Sequence, residues 1–261
     1  MSRLRSMFEG LSGRRAALLA YATGFYPDRA RSEEVLKTML ASGADALEIG
    51  VPFSDPVMDG PVIQRTSACA LAAGATPAGV LDLVSSIRAD TDRPLLVMTY
   101  YNPVFSFGVE RFALEAASAG VDGIVVPDLP VEEMGPLCEA CRTAGVDTVA
   151  FCSPTTSDER IEAAAGASTG FLYCVSHLGT TGAMDGLPRE LPSFLARVRA
   201  LSGCPIAVGI GISTPGQCAE VGGAVDGVIV GSALMRAVAE GDGSLEPLSG
   251  LVSGMAGALA D

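Results

Sequence analysis

Short apolar runs rich in β-branched residues alternate along this chain with longer stretches of helical periodicity, and that alternation limits its fold more than any other feature. A strand followed by a helix, repeated, builds a parallel sheet from βα units. Strands are expected at Ala17–Ala22, Ala46–Gly50, Pro94–Tyr100, Gly123–Val126, Asp147–Phe151, Phe171–Val175, Pro205–Val208 and Val225–Val230. Helical patterns such as SEEVLKTMLASG, PVIQRTSACALAAG and VERFALEAASAG lie between them, each ending on a glycine suited to a left-handed cap. Eight such units in 261 residues match an α/β fold of the (β/α)8 or TIM-barrel type. No Pro/Gly/Ser-rich linker divides the chain, so residues 1–261 are expected to form a single barrel domain. A doubly wound open sheet is the alternative, because counting strands does not establish closure.

Composition narrows the partners. Seventeen basic against thirty acidic residues give a formal net charge of −13, with no basic cluster to follow a phosphate backbone or an anionic membrane. The N-terminal MSRLRSMFEGLSGRRAALLAY lacks an uninterrupted apolar core, and no stretch of eighteen apolar residues occurs, so a soluble, cytoplasmic protein is expected. Seven scattered cysteines fit free thiols in a reducing compartment. Cys138 and Cys141 form a CxxC inside a helical run without a second pair, which favours packing over metal or redox work.

In a barrel of this kind chemistry gathers where strands end and loops begin, on the C-terminal face. The second strand, ALEIG, runs into VPFSDPVMDGPVIQ, which places Glu48 at the end of an apolar strand and Asp55 and Asp59 in the loop beyond. Burial raises a carboxyl pKa, which suits a group that both gives and takes protons; the alternative is a Glu paired with an Arg or a backbone donor. Asp55 and Asp59 also fit turn or cap positions. VGIGIST follows the seventh strand and VGSA follows the eighth and opens a helix, so backbone N–H groups of both can face one anion. A phosphorylated small molecule is the expected ligand. After the sixth strand, SHLGTTGAMDG has the composition of a mobile lid or of a plain connection, and the only histidine, His177, stands at its start.

Absences narrow the chemistry further. The only lysine, Lys37, falls in the helix after the first strand, which removes a Schiff-base mechanism with a strand-end lysine. One histidine and no ligand-spaced cluster give no metal site, and carboxylate acid–base chemistry remains.

LEIGVPFSDPVMDGPVIQ resembles the signature segment of the tryptophan synthase alpha chain family, and YYNPVFSFGVERF, AGVDGIVVPDLPVEE, GTTG and VGIGIST resemble further family segments in the same order. The resemblance covers essentially the whole chain. It implies a lyase of tryptophan biosynthesis that cleaves indole-3-glycerol phosphate to indole and glyceraldehyde 3-phosphate. Glu48 then matches the acid–base glutamate and Asp59 the aspartate that binds the indole N–H. Tyr21, Tyr100 and Tyr173 match substrate-pocket aromatics, and Thr181 the lid threonine that helps order Asp59. Gly182, Gly211, Gly231 and Ser232 match backbone positions around the phosphate. Pro52, Phe53 and Asp55 lie in the loop that in the family meets the β subunit. No cofactor is implied for this chain, since pyridoxal phosphate belongs to that partner.

Three segments depart from the commoner family pattern: SHLGTTG in the lid, Ile210 where an aromatic is frequent, and TGFYPD near the first strand. These would also suit a free-standing indole-releasing lyase of specialised metabolism. A non-catalytic homologue that binds a phosphate ligand and activates a partner is a further alternative, against which the intact Glu48 and Asp59 argue.

Overall fold

A computed structural model describes residues 2–175, 188–209 and 211–260. After an N-terminal helix α1 (Arg3–Leu11), the first half of the chain runs β1 (Ala17–Thr23), α2 (Arg29–Ala41), β2 (Ala46–Gly50), α3 (Pro61–Ala72), α4 (Pro77–Arg88), β3 (Leu95–Met98), α5 (Tyr101–Phe107), α6 (Val109–Ala119) and β4 (Gly123–Val125). The second half runs α7 (Gly135–Ala144), β5 (Asp147–Cys152), α8 (Asp158–Ala167), β6 (Phe171–Val175), α9 (Leu191–Leu201), β7 (Ile206–Gly209), α10 (Pro215–Gly222), β8 (Gly227–Val230), α11 (Ser232–Glu240) and α12 (Glu246–Ala260).

Every strand pairs in parallel with the next, and β8 returns to β1 through Ala17↔Gly227 to Ala20↔Val230. That last pairing closes the barrel and removes the open-sheet alternative. The strands fall close to their sequence positions. The largest difference is β3, which ends at Met98, because Tyr100 leaves the ladder to become the N-cap of α5. Lys37 lies in α2, the helix that follows β1.

The strand period of two sorts side chains into two cores. Ala17, Leu19, Ala46, Leu96, Val125, Val149, Phe171, Ala207 and Ile229 fill the barrel interior, whereas their neighbours in sequence, such as Leu18, Leu47 and Val208, pack under the helices. Helix α1 carries no strong sequence signal, yet Leu4 and Phe8, one turn apart, plug the N-terminal end of the interior, with the Phe8 ring edge-on to Phe171 at 5.8 Å. Among the described residues no single helix is long and apolar enough to cross a membrane.

Acidic residues just before three strands hold the N-terminal face together. Asp45 accepts both guanidinium nitrogens of Arg15 at 2.7 Å and the Leu18 N–H at 2.8 Å. Asp122 accepts Arg88 and Arg3 together with the Leu95 N–H, and Asp226 accepts Arg199 and the Ile206 N–H. Each of these carboxylates has both a cation and a backbone donor. The cysteines are free thiols, and the CxxC lies along α7, where burial pushes the Cys141 thiol up to about 12.

Candidate active site

Glu48 takes its position from the pleat of β2. Leu47 and Ile49 face the helices, so Ala46 and Glu48 turn inward, with Glu48 in register between Tyr21 of β1 and Leu96 of β3. It is 2% exposed, and its Oε1 has no hydrogen-bond partner among the described residues. An ionised carboxylate in such a place loses its hydration without compensation, so the neutral acid is favoured. Burial first, and the Asp59 charge second, push Glu48 up from 4.5 to about 8. The contrast with the Arg-paired aspartates of the N-terminal face rules out a salt-bridge role for Glu48 among the described residues.

Asp59 ends the loop from β2 to α3. The helix behind it starts from Gly60 as N-cap with Pro61 in its first turn. The Asp59 carboxylate instead takes a hydrogen bond from the Tyr100 hydroxyl. Burial raises Asp59 to about 6, and the Tyr100 hydrogen bond opposes that rise. The same hydroxyl accepts the Met58 N–H at 2.9 Å, and the Tyr100 ring packs against Phe53 with centroids 5.4 Å apart. Tyr100 therefore fixes the loop and its carboxylate together, from behind the cleft wall.

The two carboxylates, on the β2 side, share one cleft with Tyr21, Tyr173, Met98 and Ile63, and with Gly211, Gly231 and Ser232 on the β7–β8 side. Tyr21 and Tyr173 are held as neutral phenols, burial being the main cause for both. Tyr173 stacks on Phe151 at 4.6 Å. A Cβ at Gly209 would collide with the Tyr173 hydroxyl, so only glycine leaves room for that ring in β7. Gly211 has φ 70°, a left-handed backbone that penalises any side chain. Gly231 is the N-cap of α11 and Ser232 its first residue, so the positive end of that helix opens on the cleft.

The structure thus brings together Tyr21, Glu48, Asp59, Tyr173, Gly211, Gly231 and Ser232 on one cleft, with Tyr100 adjoining. Thr181 and Gly182, with His177 and Ile210, lie outside the described residues. In the β2–α3 loop Pro52 is buried, Phe53 is partly buried on Tyr100, and Asp55 is exposed and accepts the Ser54 hydroxyl at 2.5 Å. Val57 and Met58 of the same loop are 71% and 50% exposed, and Phe105 of α5 is 66% exposed, leaving apolar surface around the mouth. Sequence reasoning missed Arg236, a cleft residue whose only signal was its place one turn beyond Ser232.

Fold and cleft together define a (β/α)8-barrel enzyme with a carboxylate pair at the C-terminal mouth. The family described as tryptophan synthase alpha chain matches residues 8–250. The tryptophan synthase alpha chain of Carboxydothermus hydrogenoformans is 45% identical over 239 residues, spanning 91% of this chain and 90% of that protein. That of Citrifermentans bemidjiense is 44% identical over 258 residues, spanning 98% and 97%. Among solved structures, a chain of Mycobacterium tuberculosis tryptophan synthase superposes with a TM-score of 0.93 at 37% identity, covering 100% of this chain and 99% of that one. The tryptophan synthase subunit alpha of Legionella pneumophila gives 0.91 at 36%, covering 99% and 98%. This chain belongs to the tryptophan synthase alpha chain family.

Proposed function

We propose that the chain is a carbon–carbon lyase that cleaves indole-3-glycerol phosphate to indole and glyceraldehyde 3-phosphate, as the alpha subunit of tryptophan synthase in tryptophan biosynthesis. The observation that carries this reading is the split between two neighbouring carboxyls, one raised to about 8 and the other to about 6. At neutral pH the pair then presents one acid and one anion, the combination a retro-aldol cleavage through a ring cation requires.

Glu48 gives its proton to the indole carbon that bears the glycerol chain, which moves the positive charge to the ring nitrogen. Asp59 lies where its negative charge meets that N–H and stabilises the cation as it forms. Glu48, now a carboxylate, takes the proton of the hydroxyl on the adjacent side-chain carbon. The carbon–carbon bond breaks, its electron pair restores the indole ring, and the hydroxyl carbon leaves as the aldehyde. Glu48 ends protonated, so the cycle balances without a cofactor in this chain. Tyr21 and Tyr173 supply apolar walls for the ring. Backbone donors at Gly211, Gly231 and Ser232 receive the phosphate; the family resemblance adds Gly182 to them and gives Thr181 the ordering of Asp59.

The exposed apolar side chains of the β2–α3 loop and of α5 support a partner at the mouth, a β subunit that holds pyridoxal phosphate and receives indole there. Pro52, Phe53 and Asp55 belong to that contact. The 261 residues work as one barrel domain in the cytoplasm. Indole release from indole-3-glycerol phosphate, measured with the chain alone and with a cognate β subunit, tests the reading. Release that rises with the partner is expected, and no release under either condition would discard it.

A further inference from the structure

Arg236 lies on α11 four residues beyond Ser232, which puts both side chains on one helix face, and it lines the cleft that holds Glu48 and Asp59. It is partly buried, and it takes part in no hydrogen bond, ion pair or ring contact among the described residues. In a chain with a formal net charge of −13, most cations are already engaged: Arg15 with Asp45, Arg88 with Asp122, Arg199 with Asp226, Lys37 with Glu33 and Asp90. A guanidinium drawn partly out of water with no anion to face is an incomplete interaction.

The place of Arg236 says what would complete it. Among the described residues it is the only cation lining the cleft, and it stands on the helix whose positive end already opens there. The carboxylates come from β2 and the loop after it and Arg236 from α11, the helix after β8, so the one cleft carries both signs of charge. Backbone N–H groups give geometry but no net charge, whereas a phosphate dianion entering an acidic protein needs a counter-charge. An arginine supplies it with a planar fork of donors that matches two phosphate oxygens.

We propose that Arg236 is a substrate-binding residue whose guanidinium pairs with the phosphate dianion seated against the N-terminus of α11, making the cleft selective for phosphorylated over unphosphorylated glycerol chains. This rests on the lyase reading for the identity of the substrate. The charge-pairing assignment itself is tested without it.

The experiment compares the parent chain with Arg236→Gln and Arg236→Lys. Calorimetry with glycerol 3-phosphate reads affinity, steady-state cleavage of indole-3-glycerol phosphate reads KM and kcat, and a melting curve for each variant establishes that it is folded. Removing a charge-assisted pair is expected to raise both Kd and KM about tenfold or more in Arg236→Gln. The salt dependence of binding is expected to flatten with it, and Arg236→Lys is expected to recover part of the loss. For glycerol no difference between the proteins is expected. Unchanged Kd and KM in folded Arg236→Gln would overturn the proposal, as would an equal loss in Arg236→Lys that rising salt does not affect. A parent that binds glycerol 3-phosphate more tightly than the Gln variant, yet releases no indole, would discard the lyase reading and leave the phosphate role of Arg236 standing.

Discussion

Replacing Glu48 with Gln separates chemistry from folding, because the two are expected to move in opposite directions. Gln keeps the size of the neutral acid, so the interior packing around Tyr21 and Leu96 is retained while the transferable proton is lost. General acid–base assistance contributes roughly a hundred- to ten-thousand-fold in rate, and turnover is expected to fall by that much or more. Stability follows the carboxyl. In the unfolded chain Glu48 ionises near 4.5 and in the fold near 8, so the parent is fully stable below the first value and loses stability as pH rises toward the second. At about 1.4 kcal/mol per tenfold, the loss is under about 1 kcal/mol at pH 5, about 3 at pH 7 and levels near 5 above pH 8. Gln does not titrate, so the variant escapes this loss; any cost of its extra amide donor is the same at every pH. Equilibrium urea unfolding of both proteins from pH 5 to pH 9 reads the difference, with single-turnover indole release beside it. The variant's relative stability should climb between pH 5 and 8 and then flatten. A difference independent of pH would refute the unpaired burial of Glu48, and cleavage at the parental rate would refute its role as the acid.

If protonated Glu48 and ionised Asp59 form the active pair, kcat/KM is expected to follow a bell between about 6 and about 8, read from a pH profile of indole release. Asp59→Asn should abolish the acidic limb and lower turnover by about a hundredfold, since a neutral amide does not balance a ring cation; a retained limb at about 6 would assign it to another group. Tyr100→Phe removes the hydrogen bond that holds Asp59 down, so the acidic limb should move to higher pH and the bell narrow; an unmoved limb would remove Tyr100 as the residue positioning Asp59. Gly211→Asp places a side chain and a negative charge on a left-handed backbone in the wall of the cleft proposed to receive the phosphate, and is expected to raise KM and the glycerol 3-phosphate Kd strongly. Unaltered affinity in the folded protein would put the phosphate elsewhere.

The chain order of polar and apolar residues was enough for the eight βα units and for much of the mouth they build. Eight short apolar runs alternating with helical patterns need a partner on each side, and a strand-end Glu48, an Asp59 in the next loop and glycines after the last two strands all follow from counting units. Helix α1 was not legible, because nine residues with two buried side chains look like an ordinary leader until the open end of the barrel is there to receive Leu4 and Phe8. Nor was closure itself, which rests on hydrogen bonds between β1 and β8, strands separated by nearly the whole chain. The chemistry of the carboxylates was likewise decided in three dimensions. Asp45, Asp122, Glu48 and Asp59 are the same kind of residue in a sequence, and only the arrival of Arg15 and Arg88 at two of them, and of an apolar interior at Glu48, makes the first pair structural anions and Glu48 an acid. The same holds for Tyr100, whose hydroxyl reaches Asp59 only because β3 ends at Met98, and for Arg236, which faces the cleft because α11 starts at its edge. A sequence specifies which groups are available and their local spacing; a pKa and a partner depend on which distant atoms share a dielectric, and the tertiary fold sets that.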